Sequence, residues 1–506
     1  MLRAGAHERA RPIDRGQGGQ DRVLQRARPL APPTPPMCEP PAFVQPRPAA
    51  AGPRGGARAA ATFSAAVAAE TPVPLWERLF LIGALLDQQD AFLNIPRVLR
   101  GMDSADAGGG AASDPLNFLL VAITLAGLGY LIWRRREAFA RMLLQNLPIL
   151  ALCGVVLISP LWSLSPGLSG KRAIVHLNTV LLALYMGDRL RFDEALLCVA
   201  QAVGVAAIGS LVAGLGVHSI GVMHSPGLEG KWRGVYTHKN PLAQAMALGA
   251  VIEAYFVARG RRAWLHAAML AIEVLLILKA NSMTGLIIVF ISLATFGVFL
   301  AFAHSAGLRR LMLVATPAVF GVALSVIVFA PALLEKASGR DATLTGRTEL
   351  WAAVVKSIQL HPVLGYGFQA FWQYYNPVAV DIWAAIRWEA PNSHNGMLEV
   401  ALGLGGLGVC ATLLVLGQAV GRAARLIGRA QTTKAGSVAL ILMLGILVES
   451  FTEAVLVRQG DIDWLLLNLL SVICLGLRMD HRPRLTLPRF GPAAARARPV
   501  DAPSVA

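Results

Sequence analysis

Long apolar runs separated by short polar loops constrain this chain more than any other feature. Of its 506 residues, 55% are hydrophobic and only 15% are charged, whereas a soluble domain carries about 25% charged residues. About 20 consecutive apolar residues cross the hydrocarbon core of a bilayer as a helix. About twelve such runs lie near residues 76–93, 115–133, 143–161, 171–187, 193–216, 240–258, 263–279, 283–303, 309–331, 396–418, 435–457 and 462–478. The sequence therefore predicts an all-α, polytopic membrane protein with about 12 transmembrane helices.

Both ends of the chain differ from this apolar middle. Residues 1–74 and 479–506 are rich in Ala, Pro, Gly and Arg. Such segments bury too little apolar surface to fold, so we predict two disordered basic tails. No stacking aromatic residues accompany their positive charge, which favours contact with anionic lipid headgroups over nucleic acid. Residues 75–478 are predicted to form one transmembrane domain.

Lysine and arginine are concentrated in alternate loops, which predicts the orientation in the membrane. The basic loops are Arg134–Arg136, Arg189–Arg191, Arg259–Arg262, Arg309–Arg310 and Arg422–Lys434. The positive-inside rule places these loops and both termini in the cytoplasm. The long polar segment 332–395 then lies on the other face, which is the periplasm for a bacterial inner-membrane protein.

This long segment contains a predicted amphipathic helix and a group of aromatic residues. Apolar side chains recur at helical spacing on one face at Leu350, Trp351, Val354, Val355 and Ile358. Thr345 or Thr348 is suited to cap the helix, and Pro362 ends it. We expect this helix to lie on the outer membrane surface. The aromatic residues of 366–375 suit either the membrane interface or sugar stacking, and the sequence leaves both interpretations open.

The sixth apolar run begins with a cluster suited to bind an anion. Asn240 is predicted as the helix N-cap and Pro241 as the first helical residue. Arg233, His238 and Lys239 stand just before this helix start, whose free N–H groups attract phosphate. The cluster predicts a phosphate or pyrophosphate site, and the alternative is contact with lipid headgroups.

The tenth apolar run begins at a histidine. His394 lies in Asn392-Ser-His-Asn395, where the helix dipole favours a neutral imidazole. Such a ring is suited to take a proton from a sugar hydroxyl. The alternative is a histidine that only caps the helix. No Cys/His spacing typical of a metal site occurs, and Asp461-Ile-Asp463 is interpreted as a loop and capping pair.

These clusters occur in an order that resembles a known family. The stretches that carry the likeness are Leu161-Trp-Ser163, Lys171-Arg172, Trp232–Asn240, Asn281–Thr284, Gly346-Arg347, Trp351, Gly365-Tyr-Gly367 and Ser393-His-Asn395. Between about residues 160 and 410 the chain resembles the O-antigen ligase and polymerase superfamily, and most closely its ExoQ-like exopolysaccharide branch.

The resemblance implies a glycosyltransferase that uses an undecaprenyl-diphosphate-linked oligosaccharide as donor, a glycan as acceptor, and neither cofactor nor metal. It implies that His394 is the base for the acceptor hydroxyl and that Arg347 stabilises the leaving diphosphate. The residues predicted to bind the diphosphate with it are Arg172, Arg233, His238, Lys239 and Asn240. The supporting residues are Trp351, Gly365, Gly367 and Asn395.

Two other functions stay open. An O-antigen ligase, which transfers a finished chain to lipid A core, belongs to the same superfamily and differs in its acceptor. A transporter or flippase of lipid-linked sugars belongs to another class and carries its polar groups near the middle of the membrane. Here the polar groups gather at the predicted outer ends of the helices, which favours the enzyme. The sequence assigns no role to Glu273, Glu449 or Glu453.

Overall fold

The computed structural model describes residues 72–89, 91–92, 94–99, 115–225, 227–260, 262–302, 304–329 and 347–480. These residues belong to one compact unit. Most of both predicted tails lies outside the described residues. So does the part of the long polar segment that precedes Arg347, including Thr345.

The described residues are mainly helical. Helices α1 to α9 are Leu75–Asp87, Asn94–Leu99, Pro115–Arg134, Arg136–Leu144, Leu147–Ile158, Pro166–Arg189, Phe192–Gly216, His218–Gly221 and Lys239–Arg259. Helices α10 to α17 are Ala263–Ala280, Met283–Phe302, Ala306–Phe329, Arg347–Leu360, Pro377–Ile386, Gly396–Ile427, Thr433–Glu449 and Ile462–Asp480. The only β-type pairing in this part of the chain is an isolated bridge between Val222 and Trp232. The prediction of an all-α fold is confirmed.

Several of these helices are long and apolar enough to cross a membrane. Within the described residues seven meet this condition, namely α3, α7, α9, α10, α11, α12 and α15. An eighth crossing is obtained if α4 and the segment from α5 to Trp162, which meet at 93°, count as one span. The chain is therefore a multi-pass membrane protein.

Each of the twelve predicted stretches overlaps a helix, but four of these helices fall short as spans, and a fifth, α5, counts only together with α4. Helix α1 has 13 residues and α16 has 17, while the apolar part of α17 is Ile462–Leu477. Helix α6 has 24 residues but includes Lys171, Arg172, Asp188 and Arg189. Twelve crossings therefore stay a prediction.

Helix α9 lies deepest among the candidate spans. The protein buries 78% of the residues in the apolar stretch of α9, against 22% in α10 and 28% in α12. A helix with protein on most sides holds its ends in fixed positions. The N-terminal end of α9 therefore provides a rigid position for the polar residues that begin it.

Helix α15 is broken at Gly405, and the loop before the helix provides hydrogen-bond acceptors at the break. Gly405 has φ 61° and ψ −159°, which interrupts the helical hydrogen bonding. The N–H groups of Gly406 and Leu407 donate instead to the carbonyls of Pro362 and Val363, at 2.8 and 3.2 Å. The chain that follows α13 is thereby joined to α15 by backbone hydrogen bonds.

The Gly365-Tyr-Gly367 stretch lies between this broken helix and the loop before α6. The Tyr366 N–H donates to the Leu402 carbonyl at 2.9 Å, and the Leu164 N–H donates to the Tyr366 carbonyl at 3.0 Å. Gly365 and Gly367 have φ values of 65° and 93°, which favour glycine. The two glycines are therefore structural, and they connect two of the motifs that resemble the family.

We expect Gly365→Ala to destabilise the protein. A Cβ at this position would lie 2.6 Å from the carbonyl oxygen of Leu402, and the left-handed backbone alone costs about 1–3 kcal/mol for a non-glycine residue. The apparent melting temperature in detergent should fall. Gly417→Ala is the matched control, because a Cβ there has no neighbour within 4 Å and helix propensity favours alanine. Equal melting temperatures for the two variants would contradict this account.

Candidate active site

The carboxylate of Glu453 joins three distant parts of the chain. This residue follows α16, and its side chain is 17% exposed. His394 Nδ1 lies 3.1 Å from Oε2, and Arg347 Nη2 lies 3.4 Å from Oε1. The Asn240 side-chain amide donates to Oε1 at 2.9 Å. Both predicted catalytic residues and one end of the predicted anion site therefore meet at a residue to which the sequence assigned no role.

Glu453 is a charged group. Burial acts against its ionisation, but His394, Arg347 and His238 lower its pKa to about 2. The carboxylate is therefore ionised at physiological pH and holds its three partners by charge-assisted contacts.

His394 does not cap the helix that it precedes. Asn395 caps α15 instead, because its side-chain oxygen accepts from the N–H groups of Met397 and Leu398 at 3.1 and 3.0 Å. His394 has φ 49°, a left-handed conformation that a non-glycine residue rarely adopts. Strain of this kind persists where surrounding structure imposes it, often at functional sites. The capping alternative is thereby excluded, and the imidazole faces Glu453.

Hydrogen bonds from two sides hold the loop that presents His394. The Trp351 indole donates to the Ser393 carbonyl at 2.9 Å, which joins α13 to the loop. The Ser393 N–H donates to the Glu399 carboxylate at 2.8 Å, and the His394 N–H donates to the Asn392 side chain at 2.8 Å. The predicted supporting role of Trp351 thus corresponds to a direct contact with the residue before His394.

Arg347 is the first residue of α13, and its side chain is 11% exposed. Besides its contact with Glu453, it donates to the Thr452 carbonyl. These contacts use two of the five N–H donors of a guanidinium. Arg347 therefore attaches the start of α13 to the 452–453 turn. Thr348, a predicted cap, is instead the second residue of the helix.

The start of α9 differs from the prediction by two residues. His238 is the N-cap, since its Nδ1 accepts from the Asn240 N–H at 3.3 Å, and the helix begins at Lys239. The predicted cap at Asn240 is wrong because its side chain turns to Glu453. Burial and the neighbouring Lys239 lower the pKa of His238 to about 4, so the ring is neutral at pH 7. With Nδ1 accepting, Nε2 carries the proton and is a hydrogen-bond donor.

Lys239 adds a buried positive charge beside this cluster. Its side chain is 8% exposed, and the described residues provide no carboxylate within ion-pair distance of it. Two cations, Arg347 and Lys239, thus lie near the Glu453 carboxylate, and the neutral His238 stands at the start of α9. Positive charge at a helix start attracts anions.

Arg233 and Arg172 both donate hydrogen bonds to backbone carbonyls. Arg233 donates to the carbonyls of Ser219 and Ile220 at 3.0 and 2.9 Å, which holds the short helix α8. Arg172 donates to the Gln369 carbonyl, which joins α6 to the aromatic loop. Both arginines therefore have structural contacts, and diphosphate binding by them stays a prediction.

The apolar face of α13 packs against side chains of the loop that follows it, of α14 and of α15. Leu350 and Val354 are fully buried in a cluster with Tyr366, Phe371, Trp372, Ala379, Ile382, Ala390 and Leu402. The prediction that this face lies on the membrane is wrong for these two residues, because side chains of the following loop, of α14 and of α15 cover it. Of the aromatic group, Tyr374 and Tyr375 stay 71% and 57% exposed.

Comparison with known proteins gives two matches, a family model and a relative. Residues 266–413 match a family model described as O-Antigen ligase. That region includes Arg347 and His394, whereas Asn240 and Glu453 lie outside it.

One relative indicates which branch of the superfamily this chain resembles. The Exopolysaccharide production protein ExoQ of Rhizobium meliloti (strain 1021) is 28% identical over 270 residues, which cover 50% of this chain and 60% of that protein. The two matches confirm the resemblance to the O-antigen ligase superfamily and its ExoQ-like branch.

Proposed function

We propose that this protein is an inner-membrane glycosyltransferase that polymerises undecaprenyl-diphosphate-linked oligosaccharide repeats on the periplasmic face during exopolysaccharide synthesis. The observation that carries the proposal is the cluster in which Glu453 contacts His394, Arg347 and Asn240 at the start of α9. It combines a base with cations at one place. The ExoQ match supports an exopolysaccharide product.

In the proposed reaction, an acceptor hydroxyl attacks the anomeric carbon of the donor sugar. The bond between that carbon and the diphosphate oxygen breaks, and undecaprenyl diphosphate leaves with the electron pair. His394 takes the hydroxyl proton on Nε2, because Nδ1 is held by the Glu453 carboxylate, which also stabilises the imidazolium that forms.

The leaving diphosphate gains charge as the bond breaks, and cations placed beforehand stabilise that charge. Arg347 and Lys239 supply two cations, and His238 supplies an N–H donor from its Nε2. The free N–H groups at the start of α9 add to this attraction. We infer that the donor diphosphate lies between α9 and α13, with Arg172 and Arg233 as outer contributors.

The proposed topology has twelve crossings, with both termini in the cytoplasm and the 332–395 segment in the periplasm. The basic loops Arg134–Arg136, Arg259–Arg262 and Arg309–Arg310 then face the cytoplasm. The donor and the active site share the outer face, where a lipid-linked oligosaccharide is presented without any nucleotide sugar.

The purified full-length chain in lipid nanodiscs tests the proposal. The lipid-linked repeat extracted from the expressing strain should be converted to longer lipid-linked oligomers, with release of undecaprenyl diphosphate. The rate should be unchanged in excess EDTA, because the proposed steps use only protein side chains. A chain that elongates nothing, or that EDTA inactivates, contradicts the proposal.

The same sample separates the alternatives. Transfer to lipid A core, with no elongation of the repeat, would identify a ligase. Movement of the lipid-linked repeat across a vesicle membrane without a new glycosidic bond would identify a transporter. The position of the charged cluster at helix starts, rather than in mid-helix, favours chemistry over transport.

A further inference from the structure

One tryptophan of the segment from α13 to the start of α15 differs from the others. The indole N–H groups of Trp351, Trp372 and Trp383 donate to oxygen atoms of the protein at 2.9, 3.2 and 2.9 Å. Trp388 is 36% exposed, and its N–H has no protein acceptor among the described residues. A buried tryptophan normally satisfies its N–H inside the protein, whereas the Trp388 N–H has no such partner in this part of the chain.

Trp388 lies beside the proposed base. Its ring centroid is 5.6 Å from that of His394, with the ring planes at 45°. Arg387, just before it, adopts a left-handed conformation (φ 61°) that ends helix α14. The backbone therefore turns sharply at this point.

The exposed aromatic surface extends beyond Trp388. The Tyr374 hydroxyl donates to the carboxylate of Glu389, the residue that follows Trp388. The Tyr374 ring also packs against Trp383, with 5.1 Å between the ring centroids. Tyr374, which is 71% exposed, is thus attached to the residue next to Trp388 in the chain.

Resting on the proposed function, we propose that Trp388 forms the acceptor subsite, on which the sugar carrying the attacking hydroxyl stacks. A pyranose ring has an apolar C–H face and a rim of hydroxyl groups, which match an aromatic face and a free N–H donor. Stacking on Trp388 places a sugar hydroxyl next to His394. Tyr374 and Glu389 then contact the following sugar of the acceptor.

A lipid-facing role for Trp388 is the competing explanation, since tryptophan is common at membrane interfaces. Its contact with His394 favours the sugar, because an interfacial anchor has no need to touch the proposed base. The two explanations differ in what the Trp388→Ala variant loses, which is either sugar binding or membrane attachment.

The binding test uses the free repeat oligosaccharide, released by mild acid from the strain's lipid-linked pool, with the full-length protein in nanodiscs. Calorimetry should show at least a tenfold weaker Kd for Trp388→Ala and an intermediate Kd for Trp388→Phe, which keeps the ring but lacks the N–H. Trp264→Ala, at a 72% exposed tryptophan on α10, should bind as the wild type does. Unchanged binding by Trp388→Ala, or no binding by the wild type, overturns the acceptor subsite.

A turnover test separates sugar binding from positioning of His394. Trp388→Ala should raise the acceptor KM about tenfold while the donor KM and the pH profile of kcat stay unchanged. A shifted pH profile with unchanged acceptor KM overturns the subsite and assigns Trp388 to the placement of His394. If the protein binds the sugar through Trp388 but makes no polymer, the acceptor subsite is supported and the proposed polymerase activity is contradicted.

Discussion

His394→Asn is expected to lower the rate of glycan transfer by about 10²–10⁴-fold, the usual contribution of a general base. Asparagine tolerates the left-handed backbone of position 394 but has no nitrogen able to take the acceptor's proton. The loop should therefore keep its fold while the chemistry is lost. The measurement is the initial rate of oligomer formation from the lipid-linked repeat.

His361→Asn is the matched control for this substitution. His361 belongs to the same loop, is exposed, and contacts Tyr366 at a ring distance of 4.4 Å, with no contact to Glu453. Its variant should retain nearly the wild-type rate. Oligomers of normal length from His394→Asn would contradict the role of His394 as the base.

Arg347→Ala is expected to lower kcat by about 10²–10³-fold, because it removes a cation next to the charge that develops on the leaving diphosphate. It also leaves Glu453 and the Thr452 carbonyl without their contacts to α13. Arg347→Lys should restore part of the rate, since an ammonium keeps the charge but cannot donate to two groups at fixed angles. The measurement is kcat with the lipid-linked repeat at saturating concentration.

Lys356→Ala controls for the loss of a positive charge from α13. Lys356 is exposed on the same helix, and its removal should change kcat less than twofold, because a distant surface charge is screened by salt. If Lys356→Ala lowered kcat as much as Arg347→Ala does, the total positive charge of α13, and not the contact with Glu453, would control the rate. Full activity of Arg347→Ala would exclude it from the proposed reaction.

Apolar run length predicted the helices well because lipid leaves little choice of backbone structure. Each backbone N–H and C=O in hydrocarbon needs an internal partner, so a long apolar run becomes a helix. The same argument does not locate the break at Gly405, where Pro362 and Val363 supply the missing acceptors. Those partners come from another loop, and the sequence around Gly405 does not indicate them.

Residue chemistry identified the two halves of the candidate site but not the group that joins them. His394 and Asn240 stand at helix starts, where polar residues are conspicuous against apolar neighbours. Glu453 also interrupts an apolar stretch, yet its partners lie 59 and 213 positions away. An acidic residue in an apolar span is often functional, but it is also consistent with pairing to an arginine, so the sequence left its role open.

The sequence by itself therefore determined the all-helical membrane fold, the polar segment that interrupts it, and the residue types available for chemistry. Hydrophobic run length and helix-start chemistry are local properties, and local properties are readable from a single chain. Tertiary structure alone decided that Asn395 rather than His394 caps α15, that Asn240 turns from its helix to Glu453, and that Trp388 stands beside the proposed base. Each of these contacts joins residues that are far apart in the sequence or that have more than one available partner. The contacts form only when the helices pack together.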